Sequence, residues 1–231
     1  KNYDKELQEL EAHFTDAASY AKLDNKQENL KLQAMQGLFD GSQTLFIHTN
    51  FAKGMVSSVK FAQSHGVKRI VLIGGDQSLK VVDFLKENEI PIILPPTHSH
   101  PSRPDVDYDL PFRLPQLLTE AGVKVALSHS GMLSQARNLP FYAGTSAAHG
   151  MDKEEALKTI SLHPAQMLGV GDKVGTLEKG KDATLFVSIG DALDIRTNQL
   201  TYAFIQGKEV ELDNKQQMLY KRFSKKYGHL K

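Results

Sequence analysis

The chain has 231 residues, of which 40% are apolar and 24% charged, and its formal net charge is +1. That balance excludes a disordered or collagen-like chain and gives no bulk electrostatic drive toward nucleic acid or an anionic membrane, so neither is expected as a partner. Cysteine is absent, which removes disulfides, thiolate metal sites and cysteine nucleophiles together.

No apolar run approaches the roughly 20 residues needed to span a bilayer, and no signal-peptide pattern opens the chain. A cysteine-free protein folds equally well in cytoplasm or periplasm, so the compartment stays open. The first residue is Lys1 rather than Met, which reads as a piece cut from something longer.

Residues 1–25 read as a helix, because Leu7, Leu10, Phe14, Ala17, Ala18 and Ala21 recur at three- and four-residue steps. "NLKLQAMQGLF" is a second helical piece, stopped at Asp40-Gly41. A unit then recurs. "TLFIH" is a short apolar strand, and "GMVSSVKFAQSHG" an amphipathic helix ended by Gly66. "KRIVLIGG" and "IPIILPP" are further strands separated by the helix "QSLKVVDFLKENE". "PFRLPQLLTEAG" is helical, "VKVALSHS" is a fourth strand, and "SQARNLPFYAGTSAAHG" and "DKEEALKTISLHPAQMLG" are helices. Continuous apolar strands alternating with helices predict an α/β protein with a parallel sheet covered on both faces. Right-handed crossovers make it a doubly wound sheet or part of a (β/α)8 barrel. After Gly169 the texture changes to short strands and turn dipeptides. The expected organisation is residues 1–169 as the α/β part, 170–213 as a small β segment and 214–231 as a C-terminal helix. The basic "LYKRFSKKYGHLK" reads as a solvated amphipathic helix.

In parallel α/β folds the chemistry sits at the C-terminal ends of the strands. Those ends are His48-Thr49-Asn50, Gly74-Gly75-Asp76, Thr97-His98-Ser99-His100 and Ser128-His129-Ser130. His48 is either a core histidine satisfied by a carbonyl or a functional imidazole. Gly74-Gly75-Asp76 is compatible with a phosphate turn, but the full G-x-G-x-x-G spacing is missing. "HSHPSRPD" is a metal pair, an anion site built on Arg103, or a loop shaped by three prolines. "LSHS" lacks the G-x-S-x-G elbow of a nucleophilic serine. His13, His65, His149, His163 and His229 have no partner spacing and read as structural.

The most specific text is "DKEEALKTISLHPAQMLGVGDKVGTLEKGKDATLFV" (Asp152–Val187), followed by "GDALD" and "AFIQGKEV". It resembles the C-terminal signature of the amidohydrolase superfamily, in particular the imidazolonepropionase-like and dihydroorotase-like branch. There a helix with an Asn-Pro-Ala-like turn, here His163-Pro164-Ala165, leads to a hairpin that returns to a small β-sandwich. The resemblance implies a TIM-type (β/α)8 barrel with one or two divalent metals, zinc foremost, that turn water into hydroxide near neutral pH. It also implies that these four strands are the fifth to eighth, so that the chain is a C-terminal half barrel plus part of a composite sandwich.

Carried over residue by residue, the resemblance makes His48 the fifth-strand metal ligand. The expected sixth-strand histidine is replaced by Gly74 or Gly75. The expected eighth-strand Asp, which would be both ligand and general base, falls near Ser130. The family's His-x-His belongs to the first strand, so His98-Ser99-His100 is out of place for the metal pair. His98, His100, Arg103 and His129 are expected instead to line the substrate pocket, with Arg103 holding a carboxylate through paired N–H donors. The function implied is hydrolysis of a C–N bond in a cyclic amide, amidine or small amide by the longer protein, with this fragment inactive alone. The alternative is a degenerate, metal-free homologue that binds a small molecule or a partner protein. A half barrel exposes two sheet edges, so the missing N-terminal half or a second copy of the chain is the expected partner. A nucleotide-binding domain, resting on Gly74-Gly75-Asp76 alone, is a third reading.

Overall fold

The computed structural model describes residues 2–229. The chain divides into two compact units, the second beginning at Leu177. The first opens with helix α1 (Tyr3–Ala21) and two short helices, α2 (Leu30–Gln33) and α3 (Gln36–Asp40). The expected single second helix is therefore broken around Ala34-Met35. Phe14 of α1 meets Phe61 edge to face, with ring centroids 5.3 Å apart.

Then come strand β1 (Leu45–Thr49), α4 (Ala52–Ser64), β2 (Ile70–Gly74), a 3₁₀ turn at Ser78–Val81 and α5 (Val82–Glu87). These are followed by β3 (Ile92–Leu94), α6 (Leu110–Glu120), β4 (Val125–Leu127), a 3₁₀ turn at Leu133–Asn138, α7 (Leu139–Ala148), α8 (Lys153–Ile160) and α9 (Leu162–Met167). The four strands form one parallel sheet in the order β1-β2-β3-β4. Sequential order with a helical crossover at each step is the arrangement of a barrel wall, whereas a doubly wound sheet reverses its order.

Register shows what each face does. Ile47, Leu72, Ile92 and Val125 lie side by side on the face that meets the helices. Leu72, Ile92 and Val125 are fully buried there. His48, Ile73, Ile93 and Ala126 form the next row, on the opposite face, because side chains alternate along a strand. Towards the N-terminal ends of the strands this second face is closed by Met167 of α9, which packs with Phe46, Val71, Ile93 and Ala126. Beyond Met167 it is only half-buried, and His48 is exposed.

α9 is fastened to the N-terminal end of the sheet by polar contacts. Arg69 donates to the Gln166 carbonyl (3.1 Å), Lys124 to the Gln166 side chain (2.9 Å) and the Thr44 hydroxyl to the Met167 carbonyl (3.5 Å). His163 Nδ1–H donates to the Val125 carbonyl at 2.8 Å. The break between α8 and α9 falls at Ser161, three residues before Pro164. A proline has no N–H to return to the carbonyl four residues back, so the helix cannot run through.

The second unit is a three-stranded antiparallel sheet, β5 (Leu185–Ser188), β6 (Leu200–Ile205) and β7 (Lys208–Glu209), followed by helix α10 (Lys215–Lys226). The β6–β7 turn is Gln206-Gly207, both with positive φ, as a tight two-residue hairpin requires. Asn214 and Gln217 form a reciprocal capping box that starts α10. Among the described residues no helix is long and apolar enough to cross a membrane.

The two faces predict different sensitivities. Leu72→Ala on the helix-facing side should cost about 2–5 kcal/mol in urea unfolding, and Ile73→Ala on the half-buried side less than half as much. Burial holds the His163 pKa below its usual value of 6.5, against the opposing pull of the Val125 hydrogen bond. The unfolded chain therefore binds the extra proton first. Stability is full above about pH 6.5 and falls as pH drops from there toward the lowered folded value. The urea midpoint should follow this course, and the slope below pH 6.5 should flatten in His163→Gln.

Candidate active-site rim

The rim is formed by the loops that leave the C-terminal ends of β1 to β4. At β1 the His48 ring stands on the half-buried face, exposed, and no hydrogen bond or ion pair engages it among the described residues. It is a free imidazole near the end of a half-buried strand, and no carbonyl among the described residues satisfies it.

The next loop is tied to this one. Gly75 N–H donates to the Thr49 carbonyl (3.0 Å) and to Asn50 Oδ1 (3.1 Å), and Gln77 N–H donates to the Asn50 carbonyl (3.0 Å). Gln77 Oε1 accepts from Ala52 N–H at 3.2 Å. The Gly75 amide that a phosphate turn would offer is thus already engaged. Neither glycine leaves room for a side chain. A Cβ on Gly74 would stand 2.8 Å from the Thr49 backbone oxygen and 2.3 Å from Asn50 Oδ1, and one on Gly75 2.3 Å from Ile92 Cδ1. Both also have φ near or above +94°, which L side chains rarely adopt.

The histidines of the later loops face α7. His98 Nε2 lies 2.6 Å from the Thr145 hydroxyl, which itself donates to the Phe141 carbonyl, so His98 Nε2–H is the donor. His129 Nε2 lies 3.0 Å from the Met132 carbonyl, which can only accept; its Nδ1, 3.2 Å from Tyr142 OH, is then left to accept the phenolic proton. The Tyr142 ring lies between the two, edge-on to His98 and parallel to His129. Buried Thr97 anchors the loop by donating to the Tyr142 carbonyl at 3.0 Å. Arg103 is engaged inside its own loop by Asp105, Nε to Oδ1 at 2.8 Å, with a second short contact through the other nitrogen. That pairing raises the guanidinium pKa and holds the Asp105 carboxyl below its usual range.

The structure therefore brings His98 and His129 together around Tyr142, places Arg103 on Asp105 and leaves His48 apart. His100 borders a separate cavity of about 230 Å³ with Asp76. Ser130 is exposed. Sequence reasoning missed Tyr142 and Thr145, which lie on a helix far along the chain and carry no motif. Among the described residues, no three or more His, Asp or Glu side chains are grouped to hold a metal ion. The residues present do not fit a metal on their own: on the face opposite the helices His48 is the one unengaged imidazole among the described residues, His100 lies apart on the other cavity, and the glycines exclude a second imidazole from the end of β2.

A family model, described as amidohydrolase family, matches residues 47–210. The chain belongs to the amidohydrolase family. Its sheet is half of a TIM-type barrel wall, as the solved structures of this superfamily show. An amidohydrolase from Thermotoga maritima superposes with a TM-score of 0.76 at 24% identity, over 87% of this chain and 54% of that one. A zinc-bound adenosine deaminase from Xanthomonas campestris gives 0.54 at 17% identity, over 85% and 54%. In sequence, N-acetylglucosamine-6-phosphate deacetylase of Danio rerio is 43% identical over 63 residues, which are 27% of this chain and 14% of that protein. The human deacetylase is 43% identical over 54 residues, 23% and 13% respectively. This amidohydrolase-family chain spans about half the length of the solved structures it matches.

The crowding at the end of β2 is directly testable. Gly74→Ala should lower stability by about 1–3 kcal/mol in urea unfolding, from the positive φ and the approach to a backbone oxygen. A neutral result would show that the turn relaxes freely.

Proposed function

We propose that this chain supplies the C-terminal strands and rim of a hydrolase acting on a C–N bond in a small amide, cyclic amide or amidine. Family membership supports this reading. So does the sequence stretch shared with deacetylases, whose removal of an acetyl group from an amino sugar is itself cleavage of an amide C–N bond. The observation that carries it is His48, an unengaged imidazole at the C-terminal end of a barrel strand, on the face opposite the helices. Its ring is free to hold or transfer a proton at a bound substrate. Ile73, Ile93 and Ala126 give the adjoining wall an apolar surface. The family's divalent metal, zinc foremost, is not assigned to this chain's residues alone. The open edges of β1 and β4 would be closed by an N-terminal half of the barrel or by a second copy of the chain.

A second reading is favoured by Gly74, Gly75 and Ser130, which stand where the resemblance asks for a histidine and a carboxylate. It makes the protein a metal-free homologue that binds a small molecule or a partner protein.

The protein at its natural length should be assayed on N-acetylglucosamine-6-phosphate and a panel of small cyclic amides, with its metal content measured in parallel. The hydrolase reading expects turnover that His48→Asn lowers by about 10²-fold or more, with an unchanged unfolding midpoint. Absence of both metal and turnover, with a panel compound still bound, would establish the second reading in its place.

A further inference from the structure

The cavity of about 230 Å³ beside β3 is separate from the face that carries His48. Its floor is Leu94, which lies on the helix-facing side of the strand, and its wall is Leu110, Leu114 and Pro115 of α6. None of His48, Ile73, Ile93 or Ala126 borders it. Leu94 and Pro115 are almost wholly buried, so the floor is fixed and dry.

The polar groups around this apolar space are unbalanced. Asp76 is half-buried on its edge, and its carboxylate has no hydrogen-bond or ion-pair partner among the described residues. The Pro111 carbonyl lacks its usual helical partner, because the residue four places on is Pro115, which has no N–H to give it. Backbone donors are scarce for the same reason: five of the bordering residues, at positions 95, 96, 101, 111 and 115, are prolines. The His100 ring is exposed and unengaged among the described residues, and its neutral form can accept as well as donate.

Apolar walls with one free carboxylate, beside the Ser99 and Ser102 hydroxyls that can accept as well as donate, ask for a ligand with an apolar body and a charged donor head. We propose that this cavity binds a small primary ammonium carried on a compact aliphatic group, with the ammonium on Asp76 and the aliphatic part against Leu94 and Leu114. A bare calcium or magnesium ion is a poor match, because it needs six or more oxygen ligands, and zinc would find Asp76 and His100 but no third His, Asp or Glu among the described residues. A free carboxylate or phosphate is excluded by like charge with Asp76.

The probes are cyclohexylammonium and its neutral analogue cyclohexanol, titrated into the 231-residue chain at constant ionic strength and followed by amide NMR shifts. The expected result is at least tenfold tighter binding of the ammonium, with shifts centred on residues 94–115. Asp76→Asn should bring the two probes within about twofold of each other. Ser102→Trp, at an exposed position on the lip of the cavity, should weaken both without touching the carboxylate. It decides the matter if Asp76→Asn fails to fold. Equal binding of the two probes to the unaltered chain, ammonium preference retained in Asp76→Asn, or undiminished binding in Ser102→Trp would each overturn the assignment.

Discussion

One-sided burial is the constraint on which the rest of this structure depends. The helix-facing row of the sheet, with Leu72, Ile92 and Val125, is removed from water completely. The opposite row is covered only where Met167 reaches it. Each buried side chain of this size contributes about 1.5–3 kcal/mol of transfer free energy, so the helix-facing side holds the sheet together. The other side is left to contain groups that stability would not choose. His48 sits there because period-two alternation puts it in the row of Ile73 and Ala126 rather than in the row of Leu72.

The two ends of the strands divide the remaining work. At the N-terminal end, Arg69, Lys124, Thr44 and His163 all hold one short helix, and three of these four contacts go to Gln166 or Met167. This is the end at which barrels keep their stability. At the C-terminal end the loops are tied to one another and to α7, through Asn50 with Gly75, Thr97 with Tyr142 and His98 with Thr145. Those contacts fix the rim while leaving His48 and Asp76 without partners among the described residues. A polar group left unpaired inside an otherwise satisfied network is where binding is most naturally sought.

The fold was legible where its signal is local. The four strands are apolar runs ended by glycine, proline or a polar residue; β2, β3 and β4 lie within the runs that announced them, and β1 extends one residue past His48 to Thr49. The family was legible from Asp152 to Val187, where turn glycines and Pro164 keep a recognisable order. The breaks within helices were legible only in part: Pro164 announced a turn, and the break falls three residues earlier, at Ser161, whereas nothing announced the break between α2 and α3, and Pro115 sits inside α6, which tertiary packing of Leu114 and Leu118 maintains. The rim was legible only as a set of strand ends. Which way each histidine turns depends on Tyr142 and Thr145, 44 and 47 residues beyond His98, and no spacing rule connects them. Arg103 is different, since its partner Asp105 is only two residues away and the ion pair is local.

The paired glycines at the end of β2 also limit the paths open to the sequence. At Gly75 the obstacle is a side chain, Ile92, whose shortening would open a hole in the best-packed row of the sheet. At Gly74 the obstacle includes the backbone oxygen of Thr49, which no side-chain replacement removes. Any lineage that places an imidazole at this strand end must first rebuild the β1 loop or the core beneath it. The order of the changes is therefore forced, and the rim behaves as a ratchet rather than a dial.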